Sequence, residues 1–298
     1  MTGLKLLVDK VDDKLMSRAA AGHAASIGIS GALSFACADL IAEFAGWRAA
    51  FLAAGASAVI AWMLVALGAP RGAPPPHAAV SGLALFDFRP VLRNRSAMAY
   101  AIAYCVHTLE MNALRGWGVA FLGFVAGSAG GSAMLVSPTA TLTVLGLLGT
   151  LMSVLGNEAA IRVGRRRLIS FAMIASAICA VLLGFVGSQS YAFAVVLILI
   201  YGPIVWLDSS SLTAGTAGTA EPSRRGATLA LHSMLGYFGG FVGPLAVGWV
   251  LDLRGGMSPA AWASAFSMIA IVTVVALAAF LIMRPRALAG DRRGEGPR

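Results

Sequence analysis

Residues 223–245, SRRGATLALHSMLGYFGGFVGPL, set a basic pair ahead of an apolar run that carries a histidine and closely spaced glycines; residues 17–34, SRAAAGHAASIGISGALS, repeat that order with a single arginine in place of the pair. Each stretch leads on to a tryptophan followed four residues later by a phenylalanine, Trp47 and Phe51 after the first, Trp262 and Phe266 after the second. Between and around these copies the chain holds eight apolar segments, at 19–41, 47–68, 97–124, 138–159, 168–187, 190–212, 228–251 and 260–283. Each is near the roughly 20 residues a helix needs to cross a hydrocarbon core. The chain is 58% hydrophobic and 12% charged, with a mean hydropathy of +0.82, more apolar than a soluble domain can bury. In lipid each backbone N–H and C=O must be satisfied within the protein. Segments of this length without alternating strands therefore satisfy it as helices rather than as a barrel. The expected fold is an all-α membrane protein with eight transmembrane helices.

Charge gives the orientation. Of 22 Lys and Arg, 19 fall on one side of those spans: Lys5, Lys10, Lys14, Arg18, Arg71, Arg89, Arg93, Arg95, Arg162, Arg165, Arg166, Arg167, Arg224, Arg225, and five in the tail from Arg284 to Arg298. Arg48, Arg115 and Arg254 fall on the other. The positive-inside rule then places both termini in the cytoplasm; the membrane expected is a bacterial-type inner membrane. The net charge of +9 is a topology signal; scattered over short loops, it forms no nucleic-acid footprint. Cys37, Cys105 and Cys179 lie in three separate spans without metal-ligand spacing and read as packing residues. Residues 1–18 read as an amphipathic helix at the membrane surface, with no cleavable signal.

The repeat assigns spans 1 and 2 the same place as spans 7 and 8. Transporters are often built from two repeated helical bundles, so residues 97–284 read as a complete six-helix C-terminal bundle. Residues 1–68 then read as a remnant of an N-terminal bundle, with four further spans expected ahead of Met1, 69–96 as a cytoplasmic linker and 285–298 as a cytoplasmic tail.

Three stretches carry a resemblance to a known family: GNEAAIRVGRRR at 156–167, GGFVGPLAVG at 239–248, and RGATLALHSMLGYFGGFVGPLAVGWVLD at 225–252 together with CVHTLEMNALRGWGVAFL at 105–122. They resemble the major facilitator superfamily, twelve-helix secondary transporters with two six-helix halves. The resemblance implies helices five to twelve of such a transporter. It also implies a gating loop at Gly156, Arg162, Gly164, Arg165 and Arg166, with Ile161 where the family carries an acid, and a central cavity lined by spans 3 and 6. The glycine-proline stretch falls in the equivalent of helix eleven rather than helix five, so no exchanger assignment follows.

On physical grounds the same glycines form a packing groove. Gly236, Gly240 and Gly248 recur at multiples of four, with Gly239 and Gly243 between them, and Pro244 weakens the helix as a hinge would. Ionisable residues inside spans are costly and mark functional positions. His107 and Glu110 share a face of span 3, Arg115 sits near its end, Asp208 and Ser209 follow Gly202-Pro203 in span 6, and His232 lies inside span 7. These are the candidate substrate and coupling residues. Glu110, aided by His107, would exchange a proton while Asp208 and Ser209 contact a small polar solute. The expected partners are membrane lipid and that solute with H+; nothing points to nucleic acid, a protein partner, a cofactor or a metal. Two other readings stand beside it, a transport-incompetent fragment or scaffold and a membrane-embedded enzyme. For the enzyme no G-x-S-x-G, H-E-x-x-H or phosphate-loop motif is present.

Overall fold

The computed structural model describes residues 11, 13–68, 88–128, 136–288 and 291. The expected surface helix at 1–18 lies largely outside the described residues, as do the proline-rich part of the linker and most of the tail. Nine α-helices, two single-turn 3-10 helices (Gly187–Gln189 and Pro222–Arg224) and no strand occur among the described residues, the α-helices being α1 (Asp13–Gly68), α2 (Arg89–Arg93), α3 (Arg95–Ser128), α4 (Pro138–Val163), α5 (Arg165–Val186), α6 (Tyr191–Trp206), α7 (Ser209–Thr219), α8 (Arg225–Leu253) and α9 (Pro259–Met283).

Six segments are long and apolar enough to cross a membrane, the first being Gly28–Gly68. That segment spans 41 residues, about 60 Å as one straight helix against a hydrocarbon core of about 30 Å. It is broken at Gly46, whose φ of 80° and ψ of 166° are non-helical and open to glycine. Dividing it there, and adding α3, whose 34 residues include His107, Glu110, Asn112 and Arg115, recovers the eight spans. Beyond Gly46 the helix is largely exposed: of residues 47–68 only Ala49, Ala50 and Ala53 are partly covered.

Local chemistry fixes the other ends. Ser137 and Ser258 accept from the N–H of Ala140 and Ala261, and each is followed by a proline in the first turn, so α4 and α9 start where orphan donors are capped and a missing N–H costs nothing. Gly164, at φ 99°, both ends α4 and starts α5. The expected single span at 190–212 is interrupted. Pro203 has no N–H to give, the backbone tightens to Leu207 N–H donating to the Ile204 carbonyl at 3.2 Å, and a two-residue turn at 207–208 separates α6 from α7.

The tightest seam joins α3 to α8. Its buried line on α8 is His232, Gly236, Gly239, Gly243, Val247 and Leu251. Gly240 and Gly248 of the expected groove lie beside that line, because steps of four drift around a 3.6-residue helix. A Cβ on Gly239 would overlap the Cys105 carbonyl oxygen, and one on Gly243 the Leu109 carbonyl oxygen. Gly240 and Gly248 face the side chains of Asn112 and Trp117 instead. Pro244 lies on the same flank, and its carbonyl accepts from Trp117 Nε1 at 2.8 Å. Trp117→Phe removes that donor together with the pyrrole ring, so the loss is at least that of the hydrogen bond. Thermal unfolding in detergent is expected to show a loss of about 1 kcal/mol or more.

Candidate functional site

Four helices converge on one buried carboxylate. Glu110 of α3 is 3% exposed. Its Oε1 accepts from the Tyr201 hydroxyl of α6 at 2.7 Å, and its Oε2 from Ser176 of α5 and Thr273 of α9, each at 3.3 Å. Away from water a carboxyl group needs partners for its oxygens, and here the Tyr201 and Thr273 hydroxyls supply them, while the one Ser176 proton is shared with the Met173 carbonyl at 3.2 Å. One turn earlier on α3, His107 Nδ1 lies 3.0 Å from Asp208 Oδ1, with both side chains buried. The two atoms are close but not aligned as a hydrogen bond, so that Asp208 oxygen has no hydrogen-bond partner. Asp208 occupies the turn between α6 and α7, so the helix break delivers a carboxylate to the interior. His107, Glu110, Ser176, Asp208 and Thr273 line a common cavity of about 10 Å³, room for about one water. It is too small for an organic solute in this conformation.

A second polar layer adjoins the first. His232 of α8 meets Thr216 Oγ1 at 3.0 Å through Nδ1 and Thr213 Oγ1 at 3.4 Å through Nε2, both on α7. Tyr104 stacks on His232 with ring centroids 4.0 Å apart and on His107 at 5.8 Å, joining the layers through an aromatic ring. Ser209 is buried at the start of α7 beside Asp208, outside the cavity lining. Arg115 stands apart: its guanidinium lies over the Phe35 ring at 5.8 Å and against Gly31 of α1. The structure thus brings His107, Glu110 and Asp208 together, sets His232 one ring away, and leaves Arg115 outside.

The loop stretch is also redistributed. Gly156 lies inside α4, where its missing Cβ admits the Leu207 carbonyl from the α6–α7 break; Gly164 alone lies between helices. Arg162 is exposed and Arg166 reaches the Leu281 carbonyl at 3.4 Å. Arg165 is buried against Asp291, Asn157 and the Ser211 carbonyl. The acid missing at Ile161 has a neighbour in Glu158, which takes Arg18 of α1 through two contacts of 2.7 and 3.0 Å. Among the described residues no cluster of His, Cys, Asp and Glu could hold a metal ion, and the three cysteines are free.

Sequence reading missed Tyr201, Ser176, Thr273, Tyr104, Thr213 and Thr216. One signal was available for Tyr201, a phenol placed directly before Gly202-Pro203 in an apolar run. No curated protein matches the chain. The sequence model of the family described as Major Facilitator Superfamily matches it twice, over residues 1–202 and 118–297.

Proposed function

We propose, because this chain belongs to the Major Facilitator Superfamily of membrane transporters, that it moves a small polar solute by proton-coupled secondary transport with alternating access. Glu110 is the proton-exchanging group, His107 its aid, and the unsatisfied Asp208 oxygen the contact for a donor group of the solute. The arginine-rich end of the bundle faces the cytoplasm, with both termini there. Residues 1–68 belong to the first bundle and 97–284 form the second.

The observation that carries this reading is the set of donors on Glu110. An ionised carboxylate needs donors and a protonated one needs an acceptor for its own O–H. Tyr201 lies on α6 before the break and Asp208 at the break itself. A change in the angle there moves the Tyr201 hydroxyl relative to Glu110 and so alters which protonation state is favoured, the requirement for linking proton movement to conformation. Interaction with the developing partner state, rather than distance alone, then sets the coupling.

The test is a panel of polar solutes offered to the purified chain in proteoliposomes under an imposed pH gradient. The wild type accumulates at least one of them, and Glu110→Gln, folded by size-exclusion profile and thermal midpoint, takes it up only to the level reached without the gradient. Gradient-driven accumulation unchanged in Glu110→Gln would remove the coupling role.

A further inference from the structure

At the arginine-rich end of the bundle a cleft of about 1320 Å³ opens between the starts and ends of α2, α3, α5, α7 and α9. Five guanidinium groups line it, those of Arg93, Arg95, Arg166, Arg284 and Arg286, against one carboxylate, Glu221. None of the five takes part in an ion pair found among the described residues. Arg95 and Arg166 each give one N–H to a carbonyl at the end of α9, at Ile282 and Leu281. A guanidinium has five N–H donors in a planar fork, so both keep donors for a ligand.

The backbone is shaped to hold this arrangement. Arg284 is in the left-handed region, at φ 48° and ψ 63°, and is the only non-glycine residue with positive φ among the described residues. Such a conformation costs free energy in a side-chain-bearing residue and is kept where the surroundings enforce it. Here it turns the chain back over the bundle end. Arg286 N–H donates to Ser96 Oγ at 3.1 Å and the Tyr100 hydroxyl donates to the Arg286 carbonyl at 2.9 Å. The main chain beneath Arg286 is thus pinned to the first turns of α3, and its guanidinium is exposed at the cleft. Among the described residues five planar forks face one carboxylate in this concave pocket, an arrangement that suits phosphate oxygens, which arginine binds through paired N–H donors.

We infer that this cleft is a binding site for a phosphate-bearing anion, supplied by the headgroup of an anionic phospholipid in the leaflet it faces. Basic pockets between transmembrane helices favour such headgroups, and each basic residue near an anionic surface contributes about fivefold to the preference.

The experiment is native mass spectrometry of the full chain in detergent, titrated with dioleoyl phosphatidylglycerol, with dioleoyl phosphatidylcholine, or with inorganic phosphate. Phosphatidylglycerol is expected to be retained well above phosphatidylcholine, and the double variant Arg93→Gln/Arg286→Gln to weaken that retention about 25-fold. The pair Arg48→Gln/Arg254→Gln, at the opposite end, should leave it unchanged. Retention that survives excess inorganic phosphate assigns the phosphate to lipid; displacement by inorganic phosphate keeps the anion site and assigns it to a soluble source. Equal retention of the two lipids with no binding of inorganic phosphate overturns the proposal. So does phosphatidylglycerol retention that is the same in Arg93→Gln/Arg286→Gln as in the wild type.

Discussion

Gly239→Ala and Gly243→Ala each destabilise the chain by about 3 kcal/mol, and together they prevent recovery of a monodisperse protein. The size follows from what the new methyl group meets. At Gly239 it overlaps the Cys105 carbonyl oxygen and at Gly243 the Leu109 carbonyl oxygen. A side chain can rotate away from an added methyl; a carbonyl of a neighbouring helix cannot move without carrying that helix with it. The α3 and α8 axes must therefore separate, forfeiting close contact along the whole seam, which places the cost at the upper end of the range for overpacking. Two such costs approach the total stability of many proteins. Gly240→Ala meets only the Asn112 amide, at 3.0 Å, and should cost under about 1 kcal/mol. Gly123→Ala in α3 meets nothing within 4 Å, so it should gain up to about 1 kcal/mol from helix propensity. Thermal midpoints and size-exclusion profiles in detergent measure all four. A Gly239→Ala protein with the wild-type midpoint would show that the helices are not in backbone contact.

Arg165→Ala is expected to cost about 3–5 kcal/mol, the range for breaking a buried ion pair from one side. The Arg165 side chain is 1% exposed, with Nε and Nη2 at 3.3 and 3.1 Å from the two Asp291 oxygens and Nη1 at 3.2 Å from both Asn157 Oδ1 and the Ser211 carbonyl. One guanidinium thereby joins α4, α5, α7 and the tail. Its removal leaves the buried Asp291 carboxylate without a cation, with the Leu288 N–H at 3.3 Å as its remaining donor among the described residues. The adjacent Arg166 is exposed and holds one long contact to Leu281; Arg166→Ala should change stability by less than about 0.5 kcal/mol. The double variant Arg165→Met/Asp291→Leu removes both charges and should recover most of the loss, since the largest part of it is the stranded carboxylate. Equal midpoints for Arg165→Ala and Arg166→Ala, in the same detergent, would overturn the assignment.

Length and hydrophobicity made the spans legible, because these properties are local to each segment. The break at 207–208 was not legible. Gly202-Pro203 shows that an N–H is missing, but the place where the helix gives way depends on how Leu207 and its neighbours are bonded and on Gly156 in another helix making room for a carbonyl. The hydroxyls around Glu110 were hidden for a related reason. Thr143 and Thr219 return their protons to the carbonyl four residues back, whereas Thr273 sends its proton across to α9's neighbour Glu110; along the sequence these threonines look alike. His107, Glu110 and Asp208 could be found because an ionisable group inside an apolar span stands out wherever it points. Arg115 stood out equally, yet it lies at Gly31 and Phe35, since spacing along one helix does not reveal which neighbour it faces.

The backbone contact at Gly239 and Gly243 has a mechanical meaning. Two helices separated by a layer of side chains can shear, each side chain changing rotamer to let its neighbour pass. Where one main chain rests on the carbonyls of another, there is no such lubricating layer. α3 and α8 should therefore travel as one lever, carrying His107, Glu110 and His232 in fixed relation, while α6 and α7 swing against that lever at the two-residue gap that holds Asp208.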